Sequence, residues 1–164
     1  MNKSIILLSA LTMTMASFNN IKRDDHVANI PAERMAANVV TAFQHRSLEE
    51  YKVLFPTLEV FHAMMEKNSN FYGKNLQEAK ADFDTQYTRE VLPALNQSFE
   101  SVLAQGRKAG INWSVIKFVR VELGSSDVPT TITFSSQDKQ YHLRFEKPLF
   151  INGEWMISPH VTLS

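Results

Sequence analysis

The sequence predicts an α+β domain, with N-terminal helices packed on one face of a curved four-stranded antiparallel sheet. Three observations predict it. From Pro31 to Lys108, apolar residues recur at steps of three and four, the period of a helix with one buried face. From Trp113 onward, β-branched and aromatic residues alternate with polar ones, as in strands. Asn152-Gly153 sits between two such runs, and Asn-Gly suits a type I′ turn because both central residues need positive φ. Helices first and hairpins last make an α+β order, not an alternating parallel one.

The start reads as an export signal. Met1-Asn2-Lys3 is a short positive stretch, and Ser4 to Ala16 is uncharged and largely apolar. Thr14 and Ala16 suit the small-residue positions before a cut, so residues 1–16 are expected to be a signal peptide removed near Ser17. A membrane span needs roughly 20 apolar residues, more than this run holds. The mature protein is expected to be periplasmic or secreted. Residues 17–30 are polar and read as a flexible lead, and residues 31–164 as one domain. No repeat or linker divides it.

Lys+Arg and Asp+Glu number 17 each, so no global field draws in nucleic acid, and basic residues do not cluster beside aromatics. The absence of cysteine removes disulfides, thiol nucleophiles and cysteine-ligated zinc together. An exported chain of this composition must be held by packing.

Pro31 is a favoured first helical residue, so the first helix is predicted over 32–45, with Met35, Val39, Ala42 and Phe43 on its buried stripe. Ser47-Leu48-Glu49-Glu50 forms a capping box: Ser47 accepts from the Glu50 N–H and the Glu50 side chain reaches back. That short helix ends before Pro56. Thr57 caps a third, Leu58 to Lys67, and Asn68 to Asn75 is a turn region. Leu76 to Lys108 is then one long helical run with Leu76, Ala79, Phe83, Tyr87, Val91, Leu95, Phe99 and Val102-Leu103 in register. Pro93 lies inside it, and an unbroken helix of about 33 residues would be roughly 50 Å long. A kink or split is therefore expected at Pro93. Gly106 and Gly110 supply the stop.

The strands are predicted as Trp113–Leu123, Thr130–Ser135, Gln140–Ile151 and Glu154–Leu163. A turn at 136–139 sets Phe134 opposite Tyr141, Ile132 opposite Leu143, Thr130 opposite Phe145, Thr133 opposite His142 and Thr131 opposite Arg144. The Asn-Gly turn sets Ile151 opposite Glu154 and Phe150 opposite Trp155. Extending that register brings His142 opposite Leu163 and His160 opposite Phe145, with Pro148 and Pro159 as sites for a bulge. The first strand is apolar on both faces (Val115 and Val119 against Ile116 and Phe118), which calls for cover on both sides.

The segment AFQHRSLEEYKVLFP, Ala42 to Pro56, resembles the first-helix signature of NTF2-like proteins, the cone fold of SnoaL-like and ketosteroid isomerase-like families. The closing NGEWMIS, Asn152 to Ser158, is similar to their last hairpin, in which a tryptophan follows Asn-Gly. A cystatin-like module is a neighbouring topology. The resemblance implies a pocket between helices and sheet, and no particular reaction.

Side chains that can line such a pocket are Phe83, Tyr87, Trp113, Phe118, Tyr141 and Trp155, with Phe71-Tyr72 nearby; at this spacing they also serve as plain core. The weak catalytic candidates are His62, His160, Tyr87 and Tyr141. His62 and Glu66 share a helix face at i, i+4, which is acid/base or metal-ligand spacing but does not close a site. His45 suits a helix C-terminus. Glu78, Asp82 and Asp84 with Lys74, Lys80 and Arg89 read as a solvated helix face. No carboxylate points inward from a strand: Glu146 and Glu154 face out and Asp127 and Asp138 lie in loops. This argues against an isomerase of the ketosteroid type. No phosphate loop, hydrolase elbow, zinc helix or calcium loop is present, so no metal or cofactor is expected.

The expected function is non-catalytic binding of a small apolar molecule, or of another exported protein, through the pocket. The alternatives are a pocket enzyme with a histidine general base and a structural homodimer built through the sheet. Either a monomer or a homodimer fits.

Overall fold

The structure, a computed structural model, describes residues 25–72, 75–125 and 128–164. The predicted signal peptide, Gly73, Lys74 and Asp127 lie outside the described residues, as do the side chains of residues 25–30 and Phe71. The chain is α+β in the predicted order, helices followed by an antiparallel sheet.

Helix α1 spans Asp25–His45 and carries Pro31 inside it, so it begins ahead of the proline, while residues 17–24 of the expected lead lie outside the described residues. Proline biases a helix start without enforcing one. Helix α1 ends in a Schellman motif: Ser47 N–H donates to Ala42 at 2.9 Å and Arg46 N–H to Phe43 at 3.1 Å, with Arg46 left-handed at φ 55°. Helix α2 (Leu48–Val53) starts on Ser47, whose Oγ accepts from Glu50 N–H at 3.2 Å. The other half of the capping box does not form. Glu50 turns to His45 Nδ1 at 2.9 Å, and the Ser47 N–H that the box needs already donates to Ala42 O at 2.9 Å.

Helix α3 (Leu58–Lys67) is followed by a single turn, α4 (Ser69–Tyr72), where an irregular turn was expected. The long run is neither split nor stopped at Pro93. Helix α5 (Leu76–Gln86) passes through a π turn, Tyr87–Val91, into α6 (Leu92–Lys108). Proline has no N–H to give the Arg89 carbonyl and its ring crowds that carbonyl. The wider turn accommodates this, and Leu92 N–H bonds back to Tyr87 O, five residues earlier. The length is tolerated because the two halves serve different neighbours: α5 packs on α3, and α6 on α2 and the sheet. Helix α6 closes in a second Schellman motif, Ile111 N–H to Gly106 at 2.8 Å and Gly110 N–H to Arg107 at 3.2 Å, with Gly110 at φ 77°.

Strand 1 is shorter than expected. Trp113–Val115 is a 3₁₀ turn whose Asn112 side chain accepts from Ser114 N–H, and β1 runs only Lys117–Glu122. Strands β2 (Thr130–Ser136) and β3 (Lys139–Phe145) pair in the predicted register across a turn with positive φ at Gln137 and Asp138. Beyond them each predicted strand divides at its proline: β4 (Leu149–Ile151) and β5 (Glu154–Met156) form a separate hairpin on Asn152-Gly153, and β6 (Val161–Leu163) joins the main sheet, whose order is β1-β2-β3-β6. The register of β6 is one residue off the extrapolated one, with Leu143 opposite Leu163 and Phe145 opposite Val161. Pro148 and Pro159 cannot donate to a ladder, and the odd residue is lost between them. Val161 takes the buried place and His160 is exposed.

The helices cover the face bearing Ile132, Phe134, Leu143 and Phe145, all fully buried. Val115 and Val119 are 49% and 41% exposed, so the described residues do not supply the second cover expected for strand 1. Val119 is the extra residue of a bulge between Phe118 and Arg120.

Candidate functional site

The aromatic core falls into two groups. One stacks Phe43 on Phe99 (4.7 Å) and Trp113 (5.4 Å), adds Tyr51 beside Phe99 (4.9 Å), and runs through Phe134 to Tyr141. The other joins Phe55, Phe61, Phe83 and Tyr87, with Phe61 and Phe83 at 4.9 Å. Tyr51 on α2 belongs to the first group, and Phe55, two residues past the end of that helix, belongs to the second. Helix α6 links the groups, because Asn96 lies between Phe99 and the π turn that carries Tyr87.

Two polar atoms, one on α2 and one on α6, are left unmet by the chain. The Tyr51 hydroxyl and the Asn96 Oδ1 are buried, and neither has a hydrogen-bond partner. Tyr51 is 0% exposed, and burial pushes its phenol far above the ordinary tyrosine range. Native interiors satisfy such groups, since each unmet one costs about 1–3 kcal/mol. The Tyr51 hydroxyl can donate and the Asn96 oxygen can accept, so each is a point at which a polar group could be met.

A second constellation bridges α3 and α5. His62 Nε2 meets Asp84 Oδ1 at 2.6 Å, and Lys80 Nζ meets Glu66 Oε1 at 2.6 Å. Lys80 and Asp84 thus reach across to α3, where pairing along their own helix was expected. The i, i+4 spacing of His62 and Glu66 on α3 matches that of Lys80 and Asp84 on α5, so the two helices lock rung to rung. The Lys80 ammonium holds the Glu66 carboxyl below its usual range; the Thr57 hydroxyl does the same for Glu59. A carboxylate fixed on one imidazole nitrogen leaves the other free to take a proton.

The other predicted side chains scatter. The Tyr87 hydroxyl donates to Pro56 O at 3.0 Å, and burial, then the Glu59 charge, raise its pKa. It is committed to the backbone and is not presented to His62. Phe83 and Trp113 are buried core, and the Trp113 indole N–H donates to Leu103 O at 3.3 Å. Phe118, Tyr141 and Trp155 are half-buried, the last tilted against Phe150 at 5.1 Å. The exposed His160 accepts at its carbonyl from Ser158 Oγ at 3.2 Å. Glu146, Glu154 and Asp138 are exposed. On the outer sheet face, His142 Nδ1 pairs with the buried Thr133 hydroxyl at 3.1 Å, a cross-strand pair. Among the described residues no group of three histidine or carboxylate side chains is placed to hold a metal, and no helix is long and apolar enough to cross a membrane.

No family model, no curated protein and no solved structure matches this chain. Reading the sequence missed Tyr51 and Asn96. The available signal was Asn96 itself, a half-buried carboxamide beside the apolar stripe of an amphipathic helix.

Proposed function

We propose that this is an exported, non-catalytic domain of the NTF2-like kind that holds a small, mostly apolar ligand in the interior between its helices and its sheet. The observation that carries the reading is that two buried side-chain atoms, Tyr51 Oη on α2 and Asn96 Oδ1 on α6, are each left without a partner by the chain. Helices on one face of a four-stranded antiparallel sheet are compatible with such a pocket. Export is supported by the positive start and apolar run of residues 1–16. The test is native mass spectrometry of mature protein purified from the exported fraction. A reproducible added mass on the monomer, lost on unfolding, is expected. A bare monomer that also takes up no added ligand refutes the reading.

The His62–Asp84 contact at 2.6 Å favours one second reading, a small enzyme with His62 as general base. It requires a substrate on the α3–α5 seam, and a His62→Ala variant that leaves all turnover of a screened substrate intact would remove it.

A further inference from the structure

We propose that strand β1, at the edge of the sheet, pairs antiparallel with β1 of a second copy of this chain, joining two sheets into one. This does not depend on the interior-ligand reading. The sheet order puts β1 at an end, and among the described residues only β2 pairs with it. Such an edge carries a row of unpaired N–H and C=O groups, a template for another strand. Helix α1 packs on β1, yet Lys117, Val119, Arg120 and Glu122 remain exposed. The exposed large apolar side chains also gather here. Val115 precedes β1, Val119 lies within it, Leu123 follows it and Val128 stands in the next loop; among the described residues only Val53 is exposed elsewhere.

A second copy is the occupant because β1 complements itself. Lys117 lies opposite Ser135 and Glu122 opposite Thr131, so both charges stand on the outer face of the sheet. Phe118 lies opposite Phe134 and Val121 opposite Ile132, so both apolar side chains face inward. On an unbroken strand Lys117 and Glu122 would point to opposite faces; the extra residue of the bulge, Val119, brings them to one. From either end the strand therefore reads outer charge, inner apolar, bulge, inner apolar, outer charge, with the signs reversed. About a two-fold axis through the bulge, Lys117 faces Glu122 of the second copy at both ends, Phe118 faces Val121, and the two Val119 side chains meet. Glu122 already accepts from Arg120 Nε at 2.8 Å, which holds its carboxylate on that face. A parallel pairing in the same register would set lysine on lysine and glutamate on glutamate. A bulge and a lysine ordinarily blunt an edge against chance pairing, and here they admit one partner in one register.

The experiment is sedimentation velocity of mature protein at low salt, from about 5 μM to 1 mM, the range in which a small and transient interface acts. A reversible monomer–dimer equilibrium is expected. Lys117→Glu and Glu122→Lys, each with circular dichroism to confirm the fold, should weaken it about tenfold or more, because two attractive cross-strand pairs become two repulsive ones. An equimolar mixture of the two variants should regain wild-type association, since their charges are complementary at both ends of the paired strands. If either variant does not fold, Val119→Glu decides, by setting two like charges at the axis. A monomer at every concentration overturns the proposal. A dimer indifferent to these substitutions lies elsewhere on the surface and overturns it too. Single variants that weaken the dimer but do not rescue each other refute the antiparallel register.

Discussion

Gly106→Ala sets two magnitudes against each other. On an isolated helix the change is favourable, by about 1 kcal/mol, because glycine costs more backbone entropy than alanine. Here a Cβ at residue 106 would overlap the Trp113 ring at Cζ2 and Cε2 and crowd Nε1. The ring has nowhere to go: it is 1% exposed and stacked between Phe43 at 5.4 Å and Phe134 at 5.7 Å. Overpacking of a filled core costs about 1–3 kcal/mol. Displacing the indole also endangers its bond to Leu103 O, worth about 1 kcal/mol, and aromatic contacts worth about 0.5–1.5 kcal/mol. With the helix gain subtracted, the expected net loss is about 2–4 kcal/mol. At this chain length that lowers Tm by roughly 4–16 °C. The assay is urea unfolding followed by tryptophan fluorescence, repeated in a Trp113→Phe background. There the smaller ring leaves room, and most of the Gly106→Ala penalty should vanish. A Gly106→Ala protein more stable than wild type by about 1 kcal/mol would show propensity winning and refute the packing argument.

Arg46 holds the left-handed position that ends α1, at φ 55°, so Arg46→Gly should stabilise by about 0.5–1 kcal/mol in chemical denaturation, and a loss would mean that the arginine side chain matters more than its backbone strain. The His62–Asp84 pair is 30% and 45% exposed, so a double-mutant cycle with alanine should give a coupling of only about 0.5–1 kcal/mol, falling with salt; a value near zero at low salt would dissolve the rung. Burial raises the Tyr51 phenol above its unfolded value, so its stabilising contribution is complete below about pH 10 and is lost as pH rises past that point, at about 1.4 kcal/mol per pH unit. Tyr51→Phe should flatten that alkaline slope in pH-dependent unfolding, and an unchanged slope would mean that Tyr51 titrates normally. At the acid end Glu66 has a lowered pKa, so its contribution is present above its unfolded value and fades as pH falls; carboxyl NMR titration of wild type against Lys80→Met should show the Glu66 midpoint rise, and no rise would show Lys80 is not the cause.

How far the chain could be read from its residues depended on the range of each interaction. The β2–β3 and β4–β5 registers were legible because a short turn fixes them and a slip of one residue would turn every side chain over. Ser47 as a cap and Gly110 as a stop were legible for the same local reason. The β3–β6 register was not, because two prolines and a free hairpin intervene and no local rule counts residues across them. The π turn was half legible. Pro93 announced a disturbance, but only the neighbours of α5 and α6 decided that the helix would widen and continue.

The sequence by itself determined the order of helices and strands, which faces are apolar and the turn geometries, because these follow from side chains a few positions apart. Tertiary structure alone decided that His62 meets Asp84 and Lys80 meets Glu66, pairings between helices whose mutual rotation no local pattern encodes. It also decided that the Tyr51 hydroxyl on α2 and the Asn96 Oδ1 on α6 are buried atoms without partners. An unmet hydrogen bond depends on everything that surrounds an atom in space, and that enclosure exists only once the chain has folded.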